Sequence, residues 1–162
     1  MQKITPFLWF DNNAEEAMNF YISVFSAIGL HSKVISIARY GDEVPGMKGK
    51  VLTAVFELGG QRFMAIDGGP HFKFTEAISL MVDCKTQEEV DELWDKLSEG
   101  GDKNAQQCGW LKDKYGLSWQ IIPAILGEML SDKDPEKAKR VMQAMMQMKK
   151  IDTGGLRKAY EG

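Results

Sequence analysis

The sequence contains little cysteine: Cys84 and Cys108 are the only two in 162 residues. They form no CxxC motif and are too few for the disulfide framework of a small secreted domain. The polar run Asp11-Asn12-Asn13 comes too early in the chain to leave room for the apolar stretch of a signal peptide. We therefore expect a cytoplasmic protein whose two thiols are reduced.

Long apolar runs and a strong excess of charge are also missing. No apolar run approaches the roughly 18 residues that a membrane-spanning helix needs. The net charge is −3 and the isoelectric point is near 5.5, whereas nucleic acids and anionic membranes require a basic face on their partner. The sequence thus argues against both as partners. Its 44% of hydrophobic and 27% of charged residues are typical of a globular protein with a buried core.

Two stretches of the chain resemble each other. The apolar run that ends in Asp11 precedes an amphipathic pattern containing Glu15-Glu16, and the run that ends in Asp83 precedes one containing Glu88-Glu89. Each copy has the pattern of a strand, a turn and an amphipathic helix. Strand patterns follow both helices, with Gly59-Gly60 as a hairpin turn in the first copy. The repeat predicts two βαβββ modules, although the first strand after the second helix, near residues 102–106, is only weakly indicated.

The remainder of the chain has a helical pattern. We predict a first module over residues 1–70, a second over 71–123 and a C-terminal helical segment over 124–162, together forming one structural domain. A short helical turn is expected at 124–130, and Asp134-Pro135 predicts the start of a longer helix that ends near Lys150 and is stopped by Gly154-Gly155. One face of this helix is apolar and is expected to pack on the protein's own sheet or on a second subunit: Ala138, Val141, Met142, Met145 and Met148.

Several stretches together are similar to one known group of proteins: Pro6 to Asp11, Ala14 to Ala17, Phe20-Tyr21, Gly60 to Ala65, Gly68 to Pro70, Glu88 to Asp91, Cys108 to Asp113 and Tyr115 to Ile121. They resemble the PhnB-like, or 3-demethylubiquinone-9 3-methyltransferase domain, group of the glyoxalase/bleomycin-resistance/dioxygenase (vicinal oxygen chelate) superfamily. The resemblance implies an α+β fold, in which paired βαβββ modules form a cupped, mixed eight-stranded sheet. It also implies that a substrate binds in the cavity of the cup.

The same resemblance marks positions for metal ligands, one on the first and one on the fourth strand of each module. In this sequence they fall on Ile4, Ala77, Gln120 and either Met64 or Ala65. Three apolar side chains and an amide cannot hold a divalent cation. A shift of one residue is no better, since it selects Thr5, Ile78 and Ile121. We therefore expect neither a metal nor another cofactor.

Strand alternation separates candidate pocket residues from the core. If Gln120 faces the cup, Ser118 faces it too, while Trp119 and Ile121 face the helices. The same alternation adds further candidates on the first strand of each module: Ile4, Pro6, Leu8, Ala77, Ser79 and Met81. Such a cup would be mostly apolar with a few hydroxyl and amide groups, as suits a flat organic ligand. A filled core without a ligand has the same composition and stays open as an alternative.

Two polar residues near the expected rim of the cup are also candidates. Asp67 closes its strand, and His71 lies in the linker between the modules. Either side chain could contact a polar ligand or do acid–base work. A turn carboxylate and an exposed loop histidine are the alternatives.

Because the ligand positions depart from the family pattern, we expect a protein that binds a small organic molecule without metal. The apolar face of the C-terminal helix favours a homodimer, with the segment from Pro135 to Lys150 contributing to the interface. The alternative is an enzyme of the vicinal oxygen chelate superfamily, such as a lyase, dioxygenase or isomerase, or, by family name only, a methyltransferase. Enzymes of the doubly wound type that use S-adenosylmethionine have a glycine-rich turn leading from a strand into a helix. No glycine pair in this sequence has that context, so methyl transfer has no support from the residues.

Overall fold

The computed structural model describes residues 2–162, which form two compact units, the first ending at Phe74 and the second comprising Thr75–Gly162. The first unit contains β1 (Phe7–Phe10), α1 (Ala14–Ala27), β2 (Ser32–Arg39), β3 (Val51–Leu58) and β4 (Gln61–Asp67). Its sheet has the order β1-β4-β3-β2, with β1 parallel to β4 and the other neighbours antiparallel. The predicted βαβββ order is confirmed for this unit.

One face of the first sheet is covered by α1. The helix turns an apolar stripe toward the sheet, and its buried residues recur at helical spacing: Ala14, Ala17, Met18, Tyr21, Val24 and Phe25. Asn13 at the N-cap makes no side-chain hydrogen bond to the helix. The first helical N–H group, that of Ala14, donates instead to Asp67 Oδ1 at the end of β4, at 2.8 Å. The helix start is thus fixed to the sheet by a residue that lies far away in sequence.

The second unit contains β5 (Leu80–Cys84), α2 (Gln87–Ser98), a 3-10 turn (Lys103–Ala105), β6 (Trp110–Lys112) and β7 (Ser118–Pro123). Its sheet has the order β5-β7-β6, with β5 parallel to β7. The strand weakly indicated near residues 102–106 is not formed. Asp102 Oδ1 accepts a hydrogen bond from Asn104 N at 2.9 Å, and this local bond favours the turn over an extended strand. Residues 2–162 therefore contain seven strands in two sheets, and not the eight expected.

The C-terminal segment differs from its prediction. It forms α3 (Ala124–Leu130), α4 (Pro135–Met146) and α5 (Thr153–Glu161). Asp134 caps α4 as predicted, but this helix ends at Met146 and does not reach Lys150. Gly154-Gly155 does not stop a helix, because it forms the first turn of α5. The N–H groups of the two glycines donate to the Asp152 carboxylate at 3.0 and 3.1 Å, so Asp152 is the N-cap.

The three C-terminal helices enclose a core of their own. Its buried members are Leu126, Met129, Val141, Ile151 and Leu156, and partly buried residues including Met145 and Met148 pack against it. Most of the apolar face predicted on α4 is therefore covered by the protein's own chain. Met142 and Met146 remain outside this core, with 42% and 55% of their surface exposed.

A glutamine on α2 holds the C-terminal segment in place. Gln87 Nε2 donates to Ile151 O at 3.0 Å, and Gln87 Oε1 accepts from Thr153 N at 2.8 Å. The side-chain amide thus makes one donated and one accepted hydrogen bond to the backbone, as a residue of a neighbouring β-strand does. Lys150 Nζ adds an ion pair with Asp91 Oδ1 at 2.8 Å. We call the Gln87 side chain and its two backbone partners the Gln87 clamp.

A second set of bonds joins the segment to the residues that precede β6. Cys108 N donates to Met148 O and Gly109 N donates to Lys149 O, each at 2.8 Å. Both donors lie at positive φ, 52° for Cys108 and 83° for Gly109. This backbone conformation is strained for the cysteine and open to the glycine. The C-terminal segment therefore supplies hydrogen-bond acceptors to the beginning of β6.

Candidate functional site

Asp67 shows which face of the first sheet the helix covers. Its buried carboxylate accepts hydrogen bonds from Ala14 N at 2.8 Å and from Val51 N at 3.0 Å. The side chain therefore points toward α1. Its oxygens accept hydrogen bonds from two buried backbone N–H groups, so the carboxylate has a structural role. Asp67 thus lies on the helix side of the sheet and away from the opposite face, where a pocket was expected.

The position of Asp67 corrects the alternation predicted for the first strand. Phe10 pairs with Asp67 and Leu8 pairs with Ala65, and paired residues share a face of the sheet. Leu8 therefore faces α1, and only 7% of its surface is exposed. The prediction that Leu8 faces the cup is wrong.

The other two candidates of that stretch precede β1. Ile4 is 88% exposed, and the carbonyl of Pro6 accepts from Met64 N at 2.9 Å. Alternation along β4 places Met64 on the face turned away from α1 and Ala65 on the helix side. The sequence left one of the four metal-ligand positions open between Met64 and Ala65. Only Met64 lies on the face where a ligand was expected.

We call the face of the first sheet that is turned away from α1 the first far face. Register places five apolar residues on it: Phe7, Trp9, Val55, Met64 and Ile66. Half of the Phe7 surface is exposed, at 51%. Trp9 is held by a hydrogen bond from Nε1 to Gly69 O at 2.9 Å and by the ring of Phe72, whose centroid lies 4.9 Å away in an edge-on arrangement. The part of this face next to β1 is therefore aromatic and apolar, while the same register also places Glu57 and Arg62 on it. The sequence interpretation missed Phe7 and Trp9 because it assigned the opposite parity to β1.

We call the face of the second sheet that is turned away from α2 the second far face. Trp119 and Ile121 are buried on the helix side, so alternation places Ser118 and Gln120 on the second far face, as the sequence predicts. Register adds Met81 and Trp110 next to Gln120, and Lys112 next to Ser118.

Three polar features mark the second far face and its edge. Gln120 Nε2 donates to Ser79 Oγ at 2.8 Å. Ser118 is only 1% exposed, and within residues 2–162 its hydroxyl has no hydrogen-bond partner. Lys112 Nζ forms an ion pair with Glu76 Oε1 at 2.5 Å, and this contact lowers the pKa of the Glu76 carboxyl. The structure therefore brings together Ser79, Ser118 and Gln120 among the predicted residues, with Met81 beside them.

Two further candidates lie in exposed loops. His71 is exposed in the stretch that follows β4, and Ala77 is exposed in the stretch that precedes β5. Ala77 N donates to Thr75 Oγ1 at 3.4 Å. Neither residue joins the polar cluster of the second far face.

The residues at the expected ligand positions do not fit a metal ion. Ile4, Ala77 and Met64 offer no lone pair that binds a divalent cation well, and the Gln120 amide is a weak ligand on its own. Within residues 2–162 no group of three or more His, Cys, Asp or Glu side chains could hold a metal ion. We therefore derive no chemical step through a metal.

The buried Cys84 thiol is not an activated nucleophile. Burial, together with the neighbouring Glu89 and Asp83 carboxylates, raises the pKa of the Cys84 thiol to about 12. A thiol with such a pKa stays protonated near neutral pH. Cys108 is half-buried and accepts a weak hydrogen bond from Gln107 Nε2 at 3.6 Å.

Comparison with known proteins decides the family. The sequence pattern of the 3-demethylubiquinone-9 3-methyltransferase family matches residues 2–122. The chain belongs to this family. A PhnB protein of the same description from Bacillus cereus is 46% identical, with a TM-score of 0.67, and the match covers 76% of this chain and 100% of that one. No curated protein matches the chain significantly.

More distant structures share the fold of the family. A protein from Pseudomonas aeruginosa is 23% identical over 75% of this chain and 96% of its own, with a TM-score of 0.62. The fosfomycin resistance protein FosX from Listeria monocytogenes is 16% identical over 81% of this chain and 98% of its own, with a TM-score of 0.53. The glyoxalase-type α+β fold and the PhnB-like resemblance predicted from the sequence are confirmed.

The family match ends where the C-terminal helices begin. It stops at residue 122, and α3 starts at Ala124. The three helices and the core they enclose are thus an addition to the matched part of the chain. None of the helices within residues 2–162 is long and apolar enough to cross a membrane.

Proposed function

We propose that this protein binds a small organic molecule on the second far face, without a metal ion. The observation that carries the proposal is the hydrogen bond from Gln120 Nε2 to Ser79 Oγ, at 2.8 Å. Gln120 stands where the resemblance places an acidic ligand in members with metal chemistry. A neutral amide held by a hydroxyl suits recognition of a polar organic group better than coordination of a cation.

The first far face is a separate candidate surface for a molecule of this kind. Its aromatic and apolar side chains include Phe7 and Trp9, and the Trp9 ring is fixed by the bond to Gly69 O and the contact with Phe72. Fixed aromatic rings lose little conformational freedom when a flat ligand stacks on them. Binding sites for small molecules commonly combine such apolar surface with a few placed polar groups.

A fragment titration tests the proposal. The ¹⁵N-labelled full chain is titrated with a library of small aromatic and polar fragments, and the resonances of the far faces are followed by NMR. We expect at least one fragment class to bind there, and Gln120→Ala to weaken that binding by about 1–2 kcal/mol without unfolding the protein. Gln61→Ala, an exposed glutamine of β4, is the matched control. Unfolding of Gln120→Ala would show that this residue belongs to the packed core.

Elemental analysis tests the metal-independent part. We expect far less than one divalent ion per chain in protein purified without chelator, because the residues at the ligand positions cannot replace the hydration shell of the ion. About one zinc, nickel, iron or manganese ion per chain would contradict this part of the proposal.

Among residues 2–162, no contact favours the enzymatic alternatives. The Asp67 carboxylate is engaged with the N–H groups of Ala14 and Val51, and His71 is an exposed loop residue. Methyl transfer, which the family's name suggests, lacks a glycine-rich turn from strand to helix within residues 2–162. Gly59-Gly60 joins β3 to β4, and Gly154-Gly155 lies inside α5.

We also propose a homodimer that forms through the exposed side of α4. Met142 and Met146 lie one helical turn apart and remain exposed, and two-fold dimers are the commonest closed assembly. Light scattering should give about twice the chain mass of 18.2 kDa. Met142→Glu with Met146→Glu should then give the monomer, whereas an unmodified protein that stays monomeric at micromolar concentration would contradict the dimer.

Because both cysteines are free, we further propose a cytoplasmic location, where thiols are kept reduced.

A further inference from the structure

The Gln120 side chain has unused hydrogen-bonding capacity. A primary amide has two N–H donors and one carbonyl acceptor. The bond to Ser79 Oγ uses one N–H, and this side chain makes no other hydrogen bond within residues 2–162. One donor and one acceptor of Gln120 therefore remain for a ligand, and they point in different directions on one planar group.

Ser118 adds a second unused group on the same face. Its hydroxyl is buried without a partner within the described residues, an arrangement that costs free energy in the unbound protein. Gln120 lies two residues further along β7, and Lys112 is the cross-strand neighbour of Ser118. A ligand carbonyl that enters between the Gln120 and Lys112 side chains would accept a hydrogen bond from the Ser118 hydroxyl and remove this cost.

The charges of the second far face disfavour an anion. Lys112 is the cation nearest to Ser118 in the register, and Glu76 neutralises it. Alternation places Asp83 on the same face, two residues after Met81. An anionic ligand on this face would therefore be repelled by the Asp83 carboxylate, and the Lys112 ammonium that could attract it is already paired with Glu76. The face thus favours an uncharged polar group.

The neighbours of Gln120 suit an aromatic ring. Met81 and Trp110 pair with Gln120 from the two adjacent strands, so they flank its amide on the same face. A methionine thioether and an indole both make favourable contacts with aromatic rings. We propose that Ser79, Ser118 and Gln120 form a subsite for an uncharged aromatic carboxamide. This inference rests on the small-molecule binding proposed above and names the chemical class of the ligand.

Three fragments of similar size test the subsite. Benzamide, benzoate and benzyl alcohol are titrated separately into the ¹⁵N-labelled full chain. Benzoate keeps the shape of benzamide but is anionic, and benzyl alcohol is neutral but lacks the amide. We expect benzamide to shift the Gln120 side-chain amide and the Trp110 indole N–H resonances and to bind about tenfold more tightly than benzoate, the factor that one good hydrogen bond gives.

A pair of serine variants separates recognition from folding. Ser118→Ala should weaken benzamide binding about tenfold while the thermal unfolding midpoint stays the same or rises, because the variant removes an unpaired buried hydroxyl. Ser26→Ala, an exposed serine on α1, should leave the benzamide affinity unchanged. Unchanged benzamide affinity in Ser118→Ala would overturn the subsite.

The remaining outcomes distinguish the two proposals. If all three fragments shift the same resonances with equal affinity, carboxamide recognition is wrong while small-molecule binding stands. If none of them binds, the subsite is overturned, and the fragment library then decides the broader proposal separately.

Discussion

Trp9 and Gly68 lie so close together that the indole ring occupies the space of any side chain at position 68. A Cβ atom built on Gly68 would overlap Trp9 Cζ2 and Cε2. The ring cannot easily move aside, because Trp9 Nε1 donates to Gly69 O and Phe72 contacts the ring edge. Position 68 therefore requires glycine because the backbone there packs directly against the Trp9 ring. No unusual backbone angle is involved.

Gly68→Ala should destabilise the protein by about 1–3 kcal/mol, the usual cost of overpacking. Urea denaturation measures the change, and the tryptophan fluorescence of the folded state reports displacement of the ring. Gly127→Ala is the matched control, since no atom lies within 4 Å of a Cβ there. That control should stabilise α3 by about 0.5–1 kcal/mol, as expected for alanine in a helix. Equal effects of the two substitutions would contradict the contact.

Asp67→Asn should cost about 1–3 kcal/mol in free energy of unfolding, because the asparagine keeps one acceptor for the two buried donors, Ala14 N and Val51 N. Asp11→Asn, an exposed aspartate, should have little effect in the same denaturation experiment. A folded Asp67→Asn protein of unchanged stability that loses ligand binding would return Asp67 to the candidate site.

Breaking the Gln87 clamp should loosen the C-terminal segment selectively. Gln87→Ala leaves Thr153 N and Ile151 O without their side-chain partners, so hydrogen exchange should accelerate at residues 148–156. We expect a loss of about 1–3 kcal/mol in local stability. Gln143→Ala, an exposed residue of α4, serves as the control, and uniform acceleration over the whole chain would argue against a local clamp.

Stability should fall at high pH through Cys84. The pKa of its thiol rises from 9.0 to about 12 on folding, mainly by burial. The thiolate therefore forms first in the unfolded chain, so the contribution of Cys84 is complete below pH 9 and is lost as the pH rises toward 12. Relative to Cys84→Ala, the unmodified protein should lose up to about 1.4 kcal/mol per pH unit above pH 9. A constant difference between the two urea curves from pH 7 to pH 11 would refute this assignment.

How well strand faces could be predicted depended on the local pattern. Along β7, polar Ser118 and Gln120 alternate with apolar Trp119, and the structure places them on opposite faces as predicted. Along β1, Leu8, Trp9 and Phe10 are all apolar, so periodicity alone cannot choose between the two faces. The hydrogen bond from Ala14 N to Asp67 decides the parity, and it joins residues 53 positions apart.

The C-terminal segment shows a similar limit. Gly154-Gly155 was predicted to stop a helix, yet Asp152 makes the pair the start of α5. A glycine pair is compatible with both ends of a helix, and the preceding acid was the signal that could have decided. The link between Gln87 and Ile151 spans 64 positions, and no local pattern reveals it.

The Gln87 clamp makes the C-terminal helices dependent on the part of the chain that the family shares. Gln87 lies within the matched residues 2–122, whereas Ile151 and Thr153 lie beyond them. Gly109, whose N–H donates to Lys149 O, lies within them too and needs φ near 83°. Grafting the three helices onto a shorter family member should therefore succeed only where that member already has an amide side chain at the start of its second helix and a glycine before the following strand. These two positions are a sequence marker that can sort family members by their capacity to carry the extension.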